Sequence, residues 1–214
     1  MRRILKSNSF IFILYAIFIV AGGLLLIFTN KGDIFLFINK NNTLLFDKFF
    51  FHITKLGNGF IFLIIFIIFL FIKYRYSLML LFSALLSTIF VHSFKQIICP
   101  LSYRPARYFN DLSNLHLLDQ VNVRSFGSFP SGHTATAFTV FFLLIFIIKK
   151  KILKSVFLLI ALSVAFSRIY LAQHFFIDVY FGSVFGTLSA FISYWFFTEY
   201  YDSKKIKWID NSII

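Results

Sequence analysis

Long uninterrupted runs of apolar residues, and not a stripe that repeats every 3.6 positions, dominate this chain of 214 residues. A water-facing helix shows such a stripe, whereas a helix that crosses a bilayer needs about 20 mostly apolar residues in succession. The uninterrupted part of the second run begins only at Phe60, so we expect that span to extend backwards. The runs predict six membrane spans, at residues 10–28, 56–72, 77–98, 132–148, 152–171 and 175–197.

The segment after the first run, residues 33–55, has a different pattern, because Phe and Leu alternate with Asp, Asn and Lys. It is too polar to cross a bilayer, and an amphipathic helix lying in the membrane interface suits it better. The predicted fold class is therefore all-α: a six-transmembrane-helix bundle with an interfacial amphipathic segment after the first span. We treat residues 1–214 as one membrane-embedded domain.

Composition agrees with a membrane protein, since 59% of residues are hydrophobic, 14% are charged and the mean hydropathy is +0.85. A soluble domain of this size carries more charged surface. The first run, preceded by Arg2 and Arg3, could instead be a signal peptide. It is long for one, however, and no clear cleavage site follows it.

The basic residues, which give a net charge of +13, lie in short clusters between the apolar runs. That distribution indicates membrane orientation and argues against nucleic-acid binding. Because one set occupies alternate connections and both ends, we predict that both termini are cytoplasmic in the inner or plasma membrane. This set holds twelve of the 21 basic residues: Arg2, Arg3, Lys6, Lys73, Arg75, Lys149, Lys150, Lys151, Lys154, Lys204, Lys205 and Lys207.

Three charged residues lie inside predicted spans, where charge is costly and therefore suggests function. Lys95 is near the end of the third span, Arg168 near the end of the fifth, and Asp178 just inside the sixth. The predicted topology places all three at the outer face, together with Arg104 and two histidines of the nearby loops and span ends. We therefore predict an active site that faces the periplasm or the cell exterior.

His174 and Asp178 are four residues apart, so on a helix they lie on one face. The carboxylate can accept a hydrogen bond from one ring nitrogen and leave the other free to attack a substrate. The same spacing also suits a structural pair that ties the helix to its neighbours.

The segment 129–133 reads Phe-Pro-Ser-Gly-His and has the residues of a helix start. Gly132 lets a ligand approach the backbone, and the exposed N–H groups after Ser131 favour an anion. His133 could then donate a proton. An ordinary helix start with an interfacial histidine remains the alternative.

Lys95, Arg104 and Arg168 provide three cations on the same side, a set that suits a phosphoryl group. In phosphoryl transfer a protein contributes mainly positioning and electrostatic stabilisation. Each cation could instead extend to lipid phosphates at the interface.

These residues together resemble the signature of the type 2 phosphatidic acid phosphatase superfamily. The second and third motifs match fully, as Pro-Ser-Gly-His at 130–133 and as Ser-Arg at 167–168 followed by His174 and Asp178. The first motif departs from the family pattern, because eight residues and not six separate Lys95 from Arg104-Pro105. We attribute the difference to a longer turn at Cys99-Pro100.

The resemblance implies a metal-independent hydrolase without a cofactor that acts on a membrane lipid phosphate through a phosphohistidine. In that scheme His174 attacks, Asp178 orients it and His133 protonates the leaving oxygen. Undecaprenyl pyrophosphate and lipid A rank above phosphatidic acid and phosphatidylglycerol phosphate as substrates, and no oligomeric state is predicted. A lipid phosphotransferase and a channel or carrier remain alternatives; the second is disfavoured because no charges line a midplane path. The residues expected to hold the phosphate are Lys95, Arg104, Ser131, Gly132 and Arg168.

Overall fold

The computed structural model describes residues 2–109, 111–200 and 208–213. Within these ranges the chain is helical, and the extended backbone pairs only at an isolated bridge between Tyr103 and Phe126. The predicted all-α class is therefore confirmed. The α-helices are α1 Arg2–Ser7, α2 Ser9–Phe28, α3 Asp33–Lys40, α4 Leu44–Ile53, α5 Phe60–Ile72, α6 Tyr74–His92, α7 Pro105–Tyr108, α8 Gly132–Ile147, α9 Lys151–Tyr170 and α10 Phe176–Trp195.

Four helices of the described chain are long and apolar enough to cross a membrane, and their lengths follow the predicted runs closely. They are α2, α9, α6 continued by a π-helix at Ser93–Ile98, and α10 continued by a π-helix at Phe196–Tyr200. A fifth span results if α4 and α5, which are bent by 57° at a short break, count as one. Helix α8 has 16 residues and is shorter than the others, so the count of six spans stays a prediction.

The predicted interfacial segment consists of the two helices α3 and α4. In α3, Phe35 and Asn39 are buried against the protein, whereas Phe37 is 72% exposed. A 3-10 turn at Thr54–Gly57 leads from α4 to the break before α5, which begins only at Phe60, so the expected backward extension of the second span stays a prediction. The position of α3 and α4 in the membrane interface remains a prediction.

Helix α8 lies at the centre of the bundle, packed against α6, α9 and α10, and nearly all of its side chains are buried. Its contact with α10 is close because two glycines of α10 face it. A Cβ atom on Gly186 would lie 2.4 Å from the carbonyl oxygen of Ala135, and one on Gly182 would lie 2.7 Å from that of Ser131. Small residues at such crossings let two helix backbones approach each other in a membrane.

At the end of the bundle opposite His133, contacts join segments that the charge pattern predicts on the same side of the membrane. The buried ammonium of Lys154 donates to the carbonyl of Ser7 at 3.3 Å and to the side-chain oxygen of Asn8. Arg75 forms an ion pair with Asp210 at 2.7 Å, close to the C-terminus. The orientation of this end relative to the cytoplasm stays a prediction, and Lys204, Lys205 and Lys207 lie outside the described residues.

Candidate active site

The eight predicted site residues form one connected cluster, although they come from four separate segments. Lys95 lies in the π-helix that ends α6, and Arg104 directly precedes α7. The starts of α8 and α10 are joined because the backbone N–H of Ser131 donates to the carbonyl oxygen of Asp178 at 2.9 Å. A turn at Cys99–Ser102, closed by a 3.2 Å backbone hydrogen bond, carries the chain from Lys95 to Arg104 and lies at the expected position.

The turn between α9 and α10 brings Arg168 and His174 to the same place. Ala172 has a φ of 54°, the left-handed conformation that commonly ends a helix and reverses the chain. The N–H groups of Gln173 and His174 then both donate to the carbonyl oxygen of Arg168, each at 3.0 Å. The two residues of the third motif are thereby held by a short, fully bonded turn.

His174 and Asp178 are buried side by side, with 2% and 1% of their side chains exposed. The ring Nδ1 of His174 lies 3.4 Å from Oδ2 of Asp178, a long contact of the kind that often tightens when substrate binds. Oδ2 also accepts hydrogen bonds from the N–H of Phe175, at 2.9 Å, and from the hydroxyl of Ser128. Because Nδ1 faces the carboxylate, Nε2 is the nitrogen left to react.

The environment of His174 favours its neutral form. Burial lowers the pKa of the imidazole well below the usual histidine value, and Arg104, Arg168 and Lys95 lower it further. Desolvation disfavours the charged ring, and neighbouring cations repel a second positive charge. The neutral imidazole is the nucleophilic form, so the surroundings prepare Nε2 for attack.

The guanidinium of Arg104 links the outer loop to the α9–α10 turn. It donates to the carbonyl oxygens of Phe126 at 3.0 Å and Gly127 at 3.3 Å, and to both the carbonyl and side-chain oxygens of Gln173 at 3.1 and 3.2 Å. Burial lowers the pKa of Arg104 to about 10, with a further decrease from Arg124 and an opposing increase from Asp178. The group therefore stays charged at neutral pH while most of its donors are occupied.

Arg168 retains more donors for a ligand. One terminal nitrogen donates to the hydroxyl of Thr54 at 2.8 Å and the other lies 3.5 Å from the side-chain oxygen of Gln173. Nε is buried and has no hydrogen-bond partner among the described residues. A buried donor without an acceptor is unusual and costs free energy unless a ligand supplies one. The ammonium of Lys95, by contrast, donates to the carbonyl of Gly127 at 2.9 Å.

The start of α8 presents backbone donors beside these cations. The hydroxyl of Ser131 caps the helix by accepting from the N–H of Thr134 at 3.4 Å and from its hydroxyl at 2.9 Å. In the described chain the N–H groups of Gly132 and His133 meet no acceptor, as expected for the first turn of a helix. These two groups therefore suit an anion, whereas Ser131 is already engaged on both its hydroxyl and its N–H.

Three residues that the sequence did not single out hold the predicted ones in place. Ser128 donates to Asp178, Gln173 accepts from both Arg104 and Arg168, and Thr54 accepts from Arg168. Ser128 and Gln173 lie beside the second and third motifs, so proximity to the motifs is the one signal that could have identified them. Thr54 lies far from every motif, and nothing in its surroundings in the sequence indicates its role.

Two cavities define the surroundings of the cluster. A cavity of about 200 Å³ lies beside His133 and Gly132, between α5, α6 and α8. A larger and almost entirely apolar cavity of about 770 Å³ lies between α2, α3, α4, α9 and α10, and none of the eight site residues lines it. Within the described ranges, no three His, Cys, Asp or Glu side chains are grouped as a metal site would require.

Comparison with known proteins gives one family and two related structures. The sequence model of the PAP2 superfamily matches residues 76–202. The crystal structure of LpxE from Aquifex aeolicus is 30% identical, with a TM-score of 0.68 over 78% of this chain and 96% of that protein. The crystal structure of a transmembrane PAP2-type phosphatidylglycerolphosphate phosphatase from Bacillus subtilis is 25% identical in sequence. Its TM-score is 0.62, over 95% of this chain and 98% of that protein. The comparison with curated proteins gives no match.

Proposed function

Because this chain belongs to the PAP2 superfamily, we propose that it is an integral membrane lipid phosphatase that works through a phosphohistidine on His174. The observation that carries the proposal is the single cluster in which a neutral imidazole, a carboxylate and three cations meet the start of α8 and its N–H groups, which are unpaired within the described chain. The two related structures support it, since one is a phosphatidylglycerolphosphate phosphatase and both match nearly their whole length.

In the first step Nε2 of His174 attacks phosphorus, and the bond from phosphorus to the leaving oxygen breaks. Asp178 accepts a hydrogen bond from the N–H at Nδ1, which keeps its proton, and stabilises the positive charge that develops on the ring. Arg168, with its unpartnered Nε, and the N–H groups of Gly132 and His133 would hold the phosphoryl oxygens. His133, whose protonated form is favoured by the negative charge of the bound phosphate, gives its proton to the leaving oxygen, and the lipid departs as an alcohol or a monophosphate.

In the second step a water molecule replaces the departed lipid. His133, now neutral, takes a proton from this water as its oxygen attacks phosphorus. The bond from phosphorus to Nε2 then breaks, which releases inorganic phosphate and restores the neutral imidazole of His174. Lys95 and Arg104 remain charged throughout and balance the phosphoryl group, with Arg104 also fixing the loop around Gly127.

We further propose that the reaction needs no metal, because fixed cations of the protein balance the phosphate charge. The purified protein in excess chelator should release phosphate at its normal rate. Complete loss that a divalent ion restores would show instead that a metal takes part in the reaction.

The proposed substrate is a lipid phosphate in the outer leaflet, hydrolysed at the periplasmic or external face with both termini in the cytoplasm. The candidates are undecaprenyl pyrophosphate, lipid A, phosphatidylglycerol phosphate and phosphatidic acid. We also propose that residues 1–214 form one membrane-embedded phosphatase domain. Release of free phosphate from one lipid alone, without a second lipid as acceptor, would separate hydrolysis from phosphate transfer between lipids.

The test is phosphate release by purified protein in detergent, with the four lipids as separate substrates. We expect His174→Ala to lower the rate by at least a thousandfold while the protein remains folded and monodisperse, because loss of a nucleophile removes the covalent route. The matched control is His52→Ala, an exposed histidine of α4, and it should keep the wild-type rate. Normal turnover by the His174 variant would contradict the proposal.

A further inference from the structure

The cavity beside His133 has several polar side chains in its wall. The side chains that supply hydrogen-bonding groups to it come from three elements. They are Asn58 at the break before α5, Ser87, Thr88 and His92 on α6, and Thr136 on α8. Thr88 and His92 are exposed on the surface of a helix long and apolar enough to cross a membrane.

None of these five side chains makes a hydrogen bond with another described residue, and this distinguishes them from polar neighbours on the same helices. Ser83 on α6 donates to the carbonyl of Leu80 at 2.9 Å. On α8, Thr134 donates to Ser131 at 2.9 Å and Thr139 to Ala135 at 2.7 Å. A hydroxyl in a membrane helix ordinarily finds a carbonyl in this way, because an unsatisfied polar group costs free energy in hydrocarbon.

The location of the cavity determines which part of a substrate would occupy it. His133 lines the cavity and, in the proposed function on which this inference rests, protonates the leaving oxygen. The atoms attached to that oxygen must then lie on the His133 side of the phosphorus, away from His174. The cavity volume of about 200 Å³ equals roughly six or seven water molecules at about 30 Å³ each. This space is sufficient for a small polar unit.

We propose that this cavity binds a hydroxyl- or carbonyl-bearing leaving group, such as the glycerol or sugar unit of a phospholipid or glycolipid. An isoprenyl chain in the cavity would exclude water from the amide of Asn58, the imidazole of His92 and the hydroxyl of Thr88 and would offer no hydrogen-bond partner in its place. A glycerol or sugar unit offers donors and acceptors next to the phosphate ester. A site built to hydrogen-bond such groups discriminates against an analogue that lacks them, because its own polar groups then remain unpaired.

The inference predicts a selective loss of activity when the polar wall is removed. Thr88→Val keeps the side-chain shape and removes the hydroxyl, and His92→Phe keeps a ring and removes both nitrogens. Each change should lower kcat/KM for phosphatidylglycerol phosphate by about three- to tenfold, the value of one hydrogen bond. Each should leave kcat/KM for farnesyl monophosphate within twofold, because its hydrocarbon chain has no partner for these groups.

The experiment measures phosphate release from both lipids in the same detergent by wild type, the two variants and the control His52→Phe. Elution volume and thermal unfolding confirm that each variant is folded. The other proposed substrates are measured alongside these two lipids. If wild type releases phosphate from none of them, the proposed function fails and this inference with it. If wild type is active but the variants change both substrates equally, or neither, the inference is wrong while the phosphatase proposal stands. A loss confined to phosphatidylglycerol phosphate supports it.

Discussion

Substitution of Gly57 by alanine tests whether the start of α8 must be placed accurately for the reaction. Gly57 is buried at the end of the 3-10 turn before α5, with His133 on one side and Val164 of α9 on the other. A Cβ atom at this position would lie 2.8 Å from the carbonyl oxygen of His133, 2.9 Å from its Cβ and 2.9 Å from Cγ1 of Val164. All three distances are shorter than Cβ contacts found in real proteins.

The size of the displacement follows from these distances. Ordinary van der Waals contact begins at 3.4 Å, so each pair must separate by about 0.5 Å. Two of the contacts are to His133 itself, and the third is to the side chain of Val164. His133 must therefore shift by about 0.5–1 Å, and a misplacement of about 1 Å can cost about a hundredfold in rate. We expect Gly57→Ala to lower kcat by about ten- to a hundredfold.

The assay is phosphate release under single-turnover conditions, with Gly59→Ala as the matched control. A Cβ atom on Gly59 would meet nothing within 4 Å, so the same chemical change two residues away should leave kcat within twofold. Addition of Gly57→Ala to His133→Ala should cause little further loss, because the effect acts through His133. Equal rates for the two alanine variants, or a full additional loss without His133, would refute the reasoning.

Three further predictions concern the turn and the nucleophile. Ala172→Gly should raise Tm in detergent, because the left-handed conformation costs a non-glycine residue about 1–2 kcal/mol, and Ala172→Val should lower it; the reverse order would contradict the φ angle. The imidazole of His174 should remain neutral in an NMR titration from pH 7 to pH 6, over which a free histidine with a pKa of about 6.5 becomes protonated. A midpoint near pH 6.5 for His174 would show that burial and Arg104 do not lower its pKa. Ser128→Ala should lower kcat by about tenfold with little change in KM, because Asp178 loses a donor that holds it; a change in KM alone would indicate a different role.

The hydropathy pattern predicted the helices well because each long apolar run must be buried in lipid or protein. The predicted run 152–171 became α9 at Lys151–Tyr170, and 175–197 became α10 and its continuation. The break between α4 and α5 was less predictable, since the chain bends by 57° where two glycines flank Asn58. That bend depends on tertiary contacts, among them the approach of Gly57 to His133.

The clustering of the proposed site residues could be predicted because charge in an apolar run is conspicuous and the motifs have fixed spacing. The residues that support them could not, because a single polar residue in a loop has no periodicity to reveal its partner. Gln173, for example, accepts from both Arg104 and Arg168 only after the turn at Ala172 has formed. Ser131 was predicted to bind phosphate, and its capping of Thr134 adds a structural role that the helix-start pattern also implies.

The central claim is that His174 carries the phosphoryl group during turnover, and trapping that group tests it most directly. The purified protein is mixed with lipid substrate, quenched in alkali after milliseconds and digested, and its peptides are analysed by mass spectrometry at alkaline pH. We predict one phosphorylated, acid-labile peptide, with the phosphate on His174 of the α9–α10 turn, and none in His174→Gln. Turnover without a phosphorylated peptide, or with the phosphate on another residue, would contradict the account.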